Sequence, residues 1–128
     1  MTCYPQILAT GSYVPDRVVT NAEVDALLGE STDEWLVQNV GIRERRWMSP
    51  EQTTSDLIVE AAQRALARAE VSAADLDLII VSTDTPDYLS PSTSVVVQHK
   101  LGAVKSGCYD VNSACAGWVL AHYNRLSM

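Results

Sequence analysis

The stretch Asp110-Val111-Asn112-Ser113-Ala114-Cys115-Ala116-Gly117-Trp118 constrains this chain more than any other. Cys108 to Val111 reads as a short buried strand, and Gly117 to Leu120 opens an apolar stretch of helical character. Between them stands a cysteine among small residues. Ala114 and Ala116 adjoin it, and Ser113 and Gly117 lie two positions away. A strand that turns at once into a helix leaves no room for bulky neighbours, so this run fits a tight corner with Cys115 at its tip. The helix that follows would aim its unpaired N–H groups and positive dipole end at the sulfur, which favours thiolate. On spacing alone two readings stay open: an activated nucleophile, or an inert core thiol at a close-packed strand end.

A chain of 128 residues suffices for one domain with a real core, here taken as residues 1–128. A net charge of −7 argues against nucleic acid and against anionic membrane surfaces as partners. No apolar run approaches the roughly 18 residues of a membrane span. Met1 to Ala9 lacks the basic start and long apolar core of a secretory signal. The three cysteines, Cys3, Cys108 and Cys115, are odd in number and lack metal-type spacing. They predict a reducing, cytoplasmic setting without a disulfide framework. With no histidine pair and no Cys-x-x-Cys, no metal site is expected.

Taken in order, residues 4–13 suggest a first strand with Ile7 and Leu8 inward, ended by Gly11 and Pro15. Asn21 is the expected cap of a helix from Ala22 to Leu28 that stops at Gly29. Ser31 or Thr32 caps another from Asp33 to Val40, with Asp33 and Glu34 in its first turn, where the dipole favours them. Gly41 to Trp47 holds three of the nine Lys and Arg residues. It reads as a half-exposed strand whose arginines pair with local carboxylates, the alternative being an anion contact. Residues 54–70 form the clearest helix, capped by Thr54 or Ser55, with Ile58, Ala61, Ala62, Ala65, Leu66 and Ala69 on one face and Glu60, Arg64 and Arg68 on the other. Its alanines would allow close approach to a sheet. Leu76 to Thr83 reads as a strand buried on both faces. Asp84 to Pro91 is a loop, and Ser92 or Thr93 starts a helix through Leu101. Val95, Val96 and Val97 are poor helix formers, so tertiary packing must hold that helix. The alternation of strands and helices predicts an α/β domain with helices on both faces of a mixed or parallel sheet.

Asn112-Ser113-Ala114-Cys115-Ala116-Gly117 resembles the active-site segment of β-ketoacyl-acyl-carrier-protein synthase III, a condensing enzyme of the thiolase superfamily. Thr32-Asp33-Glu34-Trp35-Leu36-Val37 with Gly41-Ile42-Arg43-Glu44-Arg45-Arg46 resembles that family's early signature. Thr54-Ser55-Asp56-Leu57 leading to Glu60-Ala61-Ala62 resembles its first long helix. Order and spacing fit from near residue 5 to about residue 121. The resemblance implies a thiolase-like fold, of which this chain is the N-terminal half, layered α-β-α and incomplete. It implies that Cys115 takes an acyl group from acyl-CoA, its own N–H helping to form the oxyanion hole. The complete enzyme would then condense that group with malonyl-acyl-carrier protein, losing CO2. Trp35 matches the residue that lies against the adenine of CoA, or else anchors its own helix. Ser90 falls where the family limits the acyl pocket of a two-fold partner, so a homodimer is implied. CoA thioester is a substrate, and no cofactor is implied.

The sequence also departs from the family. The family's catalytic His and Asn lie in its second half and have no match here. His122 and Asn124 stand too near Cys115 in sequence to replace them and read as an exposed or frayed helix end, as His99 reads as a helix-surface residue. The basic residue expected four positions after Trp35 is Asn39. Basic residues for docking acyl carrier protein are not evident, since Lys100 and Lys105 are isolated, so that surface belongs to the missing half. Two other readings remain. One is a cysteine-type thioester hydrolase, although Ser113 stands where a nucleophile elbow has its first glycine. The other is a catalytically incomplete fragment that only associates with another chain.

Overall fold

The computed structural model describes residues 6–126, with side chains through Tyr123, so Cys3 and Tyr4 lie outside the described residues. The fold separates into two compact units, Val14–Gln52 and the remainder.

The first unit is a two-stranded antiparallel ribbon with two helices between its strands. Strand β1, Arg17–Thr20, pairs with β2, Glu44–Trp47, in a register that sets Arg17 opposite Trp47 and Thr20 opposite Glu44. Helix α1, Asn21–Leu28, is capped by Thr20, not by Asn21. Thr20 and Glu23 form a capping box: the Thr20 hydroxyl accepts the Glu23 N–H, and the Glu23 carboxylate accepts the Thr20 N–H. Asn21 is thereby freed for a different task. It is buried, and its amide donates to Asp33 Oδ1 and to the Ile42 carbonyl while its oxygen accepts from Arg45. Helix α2, Asp33–Val40, has the expected bounds. Thr32 directs its hydroxyl and N–H to Asp25, holding that carboxyl below the usual range, the hydroxyl bond being the larger cause. The arginines of β2 do not pair with carboxylates as expected. Arg45 reaches Asn21 and the Val19 carbonyl, and Arg46 reaches the carbonyls of Pro15 and Asp16. A ribbon of two strands leaves many carbonyls unpaired, and guanidinium forks satisfy them.

The second unit contains the long helix α3, Thr54–Ala69, capped by Thr53 with Asp56 in a capping box. Strand β3, Leu78–Ser82, is joined to the parallel strand β4, Gly107–Val111, through α4, Thr93–Leu101. Helix α5, Gly117–Leu126, follows β4. Val81 pairs with Asp110, and Asp110 faces the N-terminus of α4. Ser82, the next residue, faces Gly117 of α5. Successive strand residues point to opposite faces, so α4 and α5 cover the two sides in an α-β-α arrangement. Of the α4 valines, packing encloses Val97, only 1% exposed, while Val96 is half-buried and Val95 is exposed.

Two expectations fail in this unit. Residues 6–13 form no strand, and Ile7 and Leu8 are 66% and 68% exposed instead of inward. This segment spends its carbonyls on α3: Arg68 donates to Thr10 O and Arg64 to Ser12 O, each at 2.9 Å. The alanines of α3 thus admit an irregular segment, not a sheet. A Cβ on Gly11 would fall 2.1 Å from the Ala61 carbonyl oxygen, so only glycine passes there. Strand β3 is shorter than Leu76 to Thr83 and only half-buried, Val81 alone being fully enclosed. Among the described residues β3 has one strand neighbour, which leaves its other edge uncovered.

Candidate active site at the Cys115 corner

The corner is built from β4 outward. Thr83 donates its N–H to the Val111 carbonyl at 3.1 Å, carrying the β3–β4 pairing one step beyond the strands. Ser113 then bonds its hydroxyl to the Asn112 carbonyl, and Ala114–Ala116 forms a single 3₁₀ turn. Ala114 takes a left-handed φ of 44°, which costs a non-glycine residue about 1 kcal/mol or more and is kept only where surroundings enforce it. Ala116 and Gly117 donate their N–H groups to Ser113 O and Ala114 O. The Cys115 N–H, one position earlier, has no hydrogen-bond partner among the described residues. The Cys115 side chain is exposed, whereas Cys108 on β4 is half-buried, and neither is in a disulfide.

Spacing left two readings of the cysteine open, and its exposure is what the nucleophile reading requires. A core thiol would be enclosed. Cys115 instead is exposed beside its own N–H, which has no partner among the described residues, at the junction where α5 begins. A thiol so placed can attack a carbonyl carbon while a nearby N–H receives the oxygen.

Glycine at 117 lets α5 come close to β3, because a Cβ there would meet the Ser82 side chain. Two aspartates that sequence reading passed over fix the surroundings. Asp110 accepts the N–H groups of Thr93 and Ser94 at 2.7 and 2.8 Å, neutralising the start of α4. Asp84 accepts the Ala114 N–H at 3.2 Å. Neither is marked by periodicity. Asp110 is legible only as a polar interruption of an apolar strand.

Ser90 belongs to the same unit as Cys115 and is exposed, ahead of a cis peptide bond to Pro91. No hydrogen bond joins it to the corner. Its loop is pinned at the base, where Asp87 accepts the Ser55 N–H and donates its own N–H to the Thr93 hydroxyl. Trp35 belongs to the other unit and is 61% exposed. It walls an open hollow of about 440 Å³ with Val24, Leu28, Leu36, Arg45 and Trp47. Asn39 ties its amide to the Trp35 carbonyl at 2.9 Å, so it serves the helix backbone. His122 is exposed, its Nδ1 2.9 Å from the Trp118 carbonyl and its ring 4.1 Å from that indole. It borders an open trough of about 970 Å³ along β3 with Leu8, Leu76, Leu78, Ile80 and Ala121, a trough that Cys115 and Ser90 do not line. His99 is exposed on α4, and the side chain of Asn124 lies outside those described. Among the described residues no three His, Cys, Asp or Glu side chains gather in a way that could hold a metal ion. No helix among them is long and apolar enough to cross a membrane.

No protein-family model matches the chain. It is 50% identical over 118 residues to the β-ketoacyl-[acyl-carrier-protein] synthase III of Xylella fastidiosa (strain Temecula1 / ATCC 700964), covering 92% of this chain and 36% of that protein. The synthase III of Laribacter hongkongensis (strain HLHK9) is 49% identical over 118 residues, with 92% and 37% covered. Among solved structures, the 3-oxoacyl-[acyl-carrier-protein] synthase III of Aquifex aeolicus VF5 superposes with a TM-score of 0.85 at 38% identity, covering 93% of this chain and 38% of that one. The priming β-ketosynthase of the R1128 polyketide pathway superposes with a TM-score of 0.84 at 40% identity, covering 91% and 35%. The α/β fold is therefore thiolase-like, and the chain spans little more than a third of the length of the curated relatives it matches.

Proposed function

Taking the chain as a portion of a β-ketoacyl-acyl-carrier-protein synthase III, we propose that it carries the acyl-accepting half of a condensation in fatty-acid or polyketide synthesis. The Cys115 sulfur attacks the carbonyl carbon of an acyl-CoA. A new carbon–sulfur bond forms, the bond to CoA breaks, and CoA leaves as its thiol with the proton that Cys115 gave up. The Cys115 N–H stabilises the developing oxyanion. Condensation with malonyl-acyl-carrier protein belongs to the whole enzyme. CoA thioester is substrate, and no resident cofactor takes part.

The observation that carries this reading is the exposed Cys115 thiol beside its unpaired N–H at the start of α5. Trp35 supports a place for adenine, because an exposed indole over an apolar hollow offers a planar ring a stacking surface. Ser90 is assigned to the acyl pocket across a homodimer. Trp118, Val119 and Tyr123 of α5, all more than half exposed, support pairing with a second copy. Two free thiols among the described residues support a cytoplasmic setting. The test is incubation with acetyl-CoA and longer acyl-CoAs followed by intact mass measurement. An acyl adduct on the wild type that is lost in Cys115→Ser supports the proposal, and an equal adduct on both sinks it.

A further inference from the structure

The left-handed Ala114 needs an explanation, because nothing in an alanine favours φ of 44°. The corner could turn in other ways; something holds it in this one. The Thr83 N–H, bonded to Val111 O, brings the chain after β3 alongside the chain after β4. The Thr83 hydroxyl then accepts the Thr85 N–H at 3.0 Å, folding a tight turn around the residue between them. That residue is Asp84. Its Oδ1 meets the Ala114 N–H at 3.2 Å, a contact across 30 positions of sequence.

We infer that Asp84 is a positioning residue for Cys115. A bond to the Ala114 N–H fixes the peptide that precedes Ala114 and with it the strained φ. The strained φ in turn starts the 3₁₀ turn in which Ala116 and Gly117 spend their N–H groups inside the corner and Cys115 keeps its own free. Asp84 thus sets where the oxyanion donor points without touching the reacting atoms. Only an acceptor is required, not a negative charge. This rests on the reading of Cys115 as the acyl acceptor.

The test compares Asp84→Ala and Asp84→Asn with the wild-type chain in two reactions of the same sulfur. Transfer from acetyl-CoA passes through an oxyanion, whereas alkylation by iodoacetamide does not. Asp84→Ala is expected to slow acyl transfer to Cys115 by on the order of tenfold or more, as loss of reacting geometry does. Alkylation of Cys115, read by peptide mass, is expected to stay within about twofold of wild type, since it needs no oxyanion donor. Asp84→Asn retains an acceptor oxygen and is expected to transfer at close to the wild-type rate. The inference is overturned if Asp84→Ala transfers like wild type, if both reactions fall together, or if Asp84→Asn is as slow as Asp84→Ala. A wild type that takes no acyl group overturns the reading of Cys115 and the inference with it. A wild type that does, matched by Asp84→Ala, overturns the role of Asp84 alone.

Discussion

Gly117 lies so close to Ser82 that a Cβ on the glycine would fall 1.9 Å from the serine Oγ and 3.1 Å from its Cβ. The contact sets how near α5 comes to the end of β3, and α5 begins two residues after Cys115. Gly117→Ala is expected to cost about 1–3 kcal/mol through overpacking. Adding Ser82→Ala removes the nearer atom and should recover part of the loss. Urea denaturation of the two single variants and the double variant checks this: a coupling energy on the order of 1 kcal/mol is expected, and strict additivity counts against the contact.

Asp110 caps α4 with two charge-assisted bonds, and its helix carries three consecutive valines with no strong propensity of their own. Asp110→Ala leaves the Thr93 and Ser94 N–H groups unpaired near a buried helix start. A loss of about 1–2 kcal/mol is expected, with Asp110→Asn intermediate. Hydrogen exchange at those two amides is the direct measurement. Unchanged protection in Asp110→Ala would show that the cap is not needed.

Asp56 is held below its ordinary 3.8, at about 2, first by Lys100 and then by the N–H and hydroxyl of Thr53. Its folded value is depressed, so its contribution is full above about pH 4 and is lost as pH falls towards 2. The Lys100 and Asp56 side chains are 33% and 39% exposed, and solvent screening limits that contribution to about 1 kcal/mol or less. Lys100→Met is expected to raise the Asp56 midpoint and flatten the acid limb of stability in that window. Carboxyl NMR titration follows the residue itself; an unmoved midpoint would remove Lys100 as the main cause.

Trp35 is exposed, so its truncation should leave the fold intact while removing a stacking surface. Trp35→Ala is expected to change stability by no more than about 0.5 kcal/mol. It should weaken acyl-CoA binding by on the order of 1 kcal/mol, with Trp35→Phe retaining part of it. Calorimetric titration with CoA distinguishes this from a purely structural tryptophan, for which affinity would hold and stability would fall.

Local signals were legible where one side chain acts on the backbone a few positions away. Helices α2 and α4 have the bounds that capping residues and glycines implied. The start of α3 was one residue off in its cap, because Thr53, Thr54 and Ser55 offer the same hydroxyl chemistry. Asn21 was misassigned for a similar reason. Next to Thr20 it is an equally good cap, and only the buried contacts with Asp33, Ile42 and Arg45 give it another use. The strand expected over residues 4–13 followed from β-branched and apolar residues, yet the partners of residues 10 and 12 are arginines more than 50 positions later.

By itself, the sequence determined that a small-residue corner after a short strand would carry Cys115, and that helices and strands would alternate around it. Those follow from steric size and from interactions a few residues long. Tertiary structure alone decided that Ala114 would be left-handed, that the Cys115 N–H would have no partner among the described residues, and that Asp84 and Asp110 would fix the segments on either side. Each of these depends on parallel pairing of β3 with β4, whose residues are about thirty positions apart. A parallel pair needs a long crossover before its hydrogen bonds can form, so its register leaves no short-range mark in the chain.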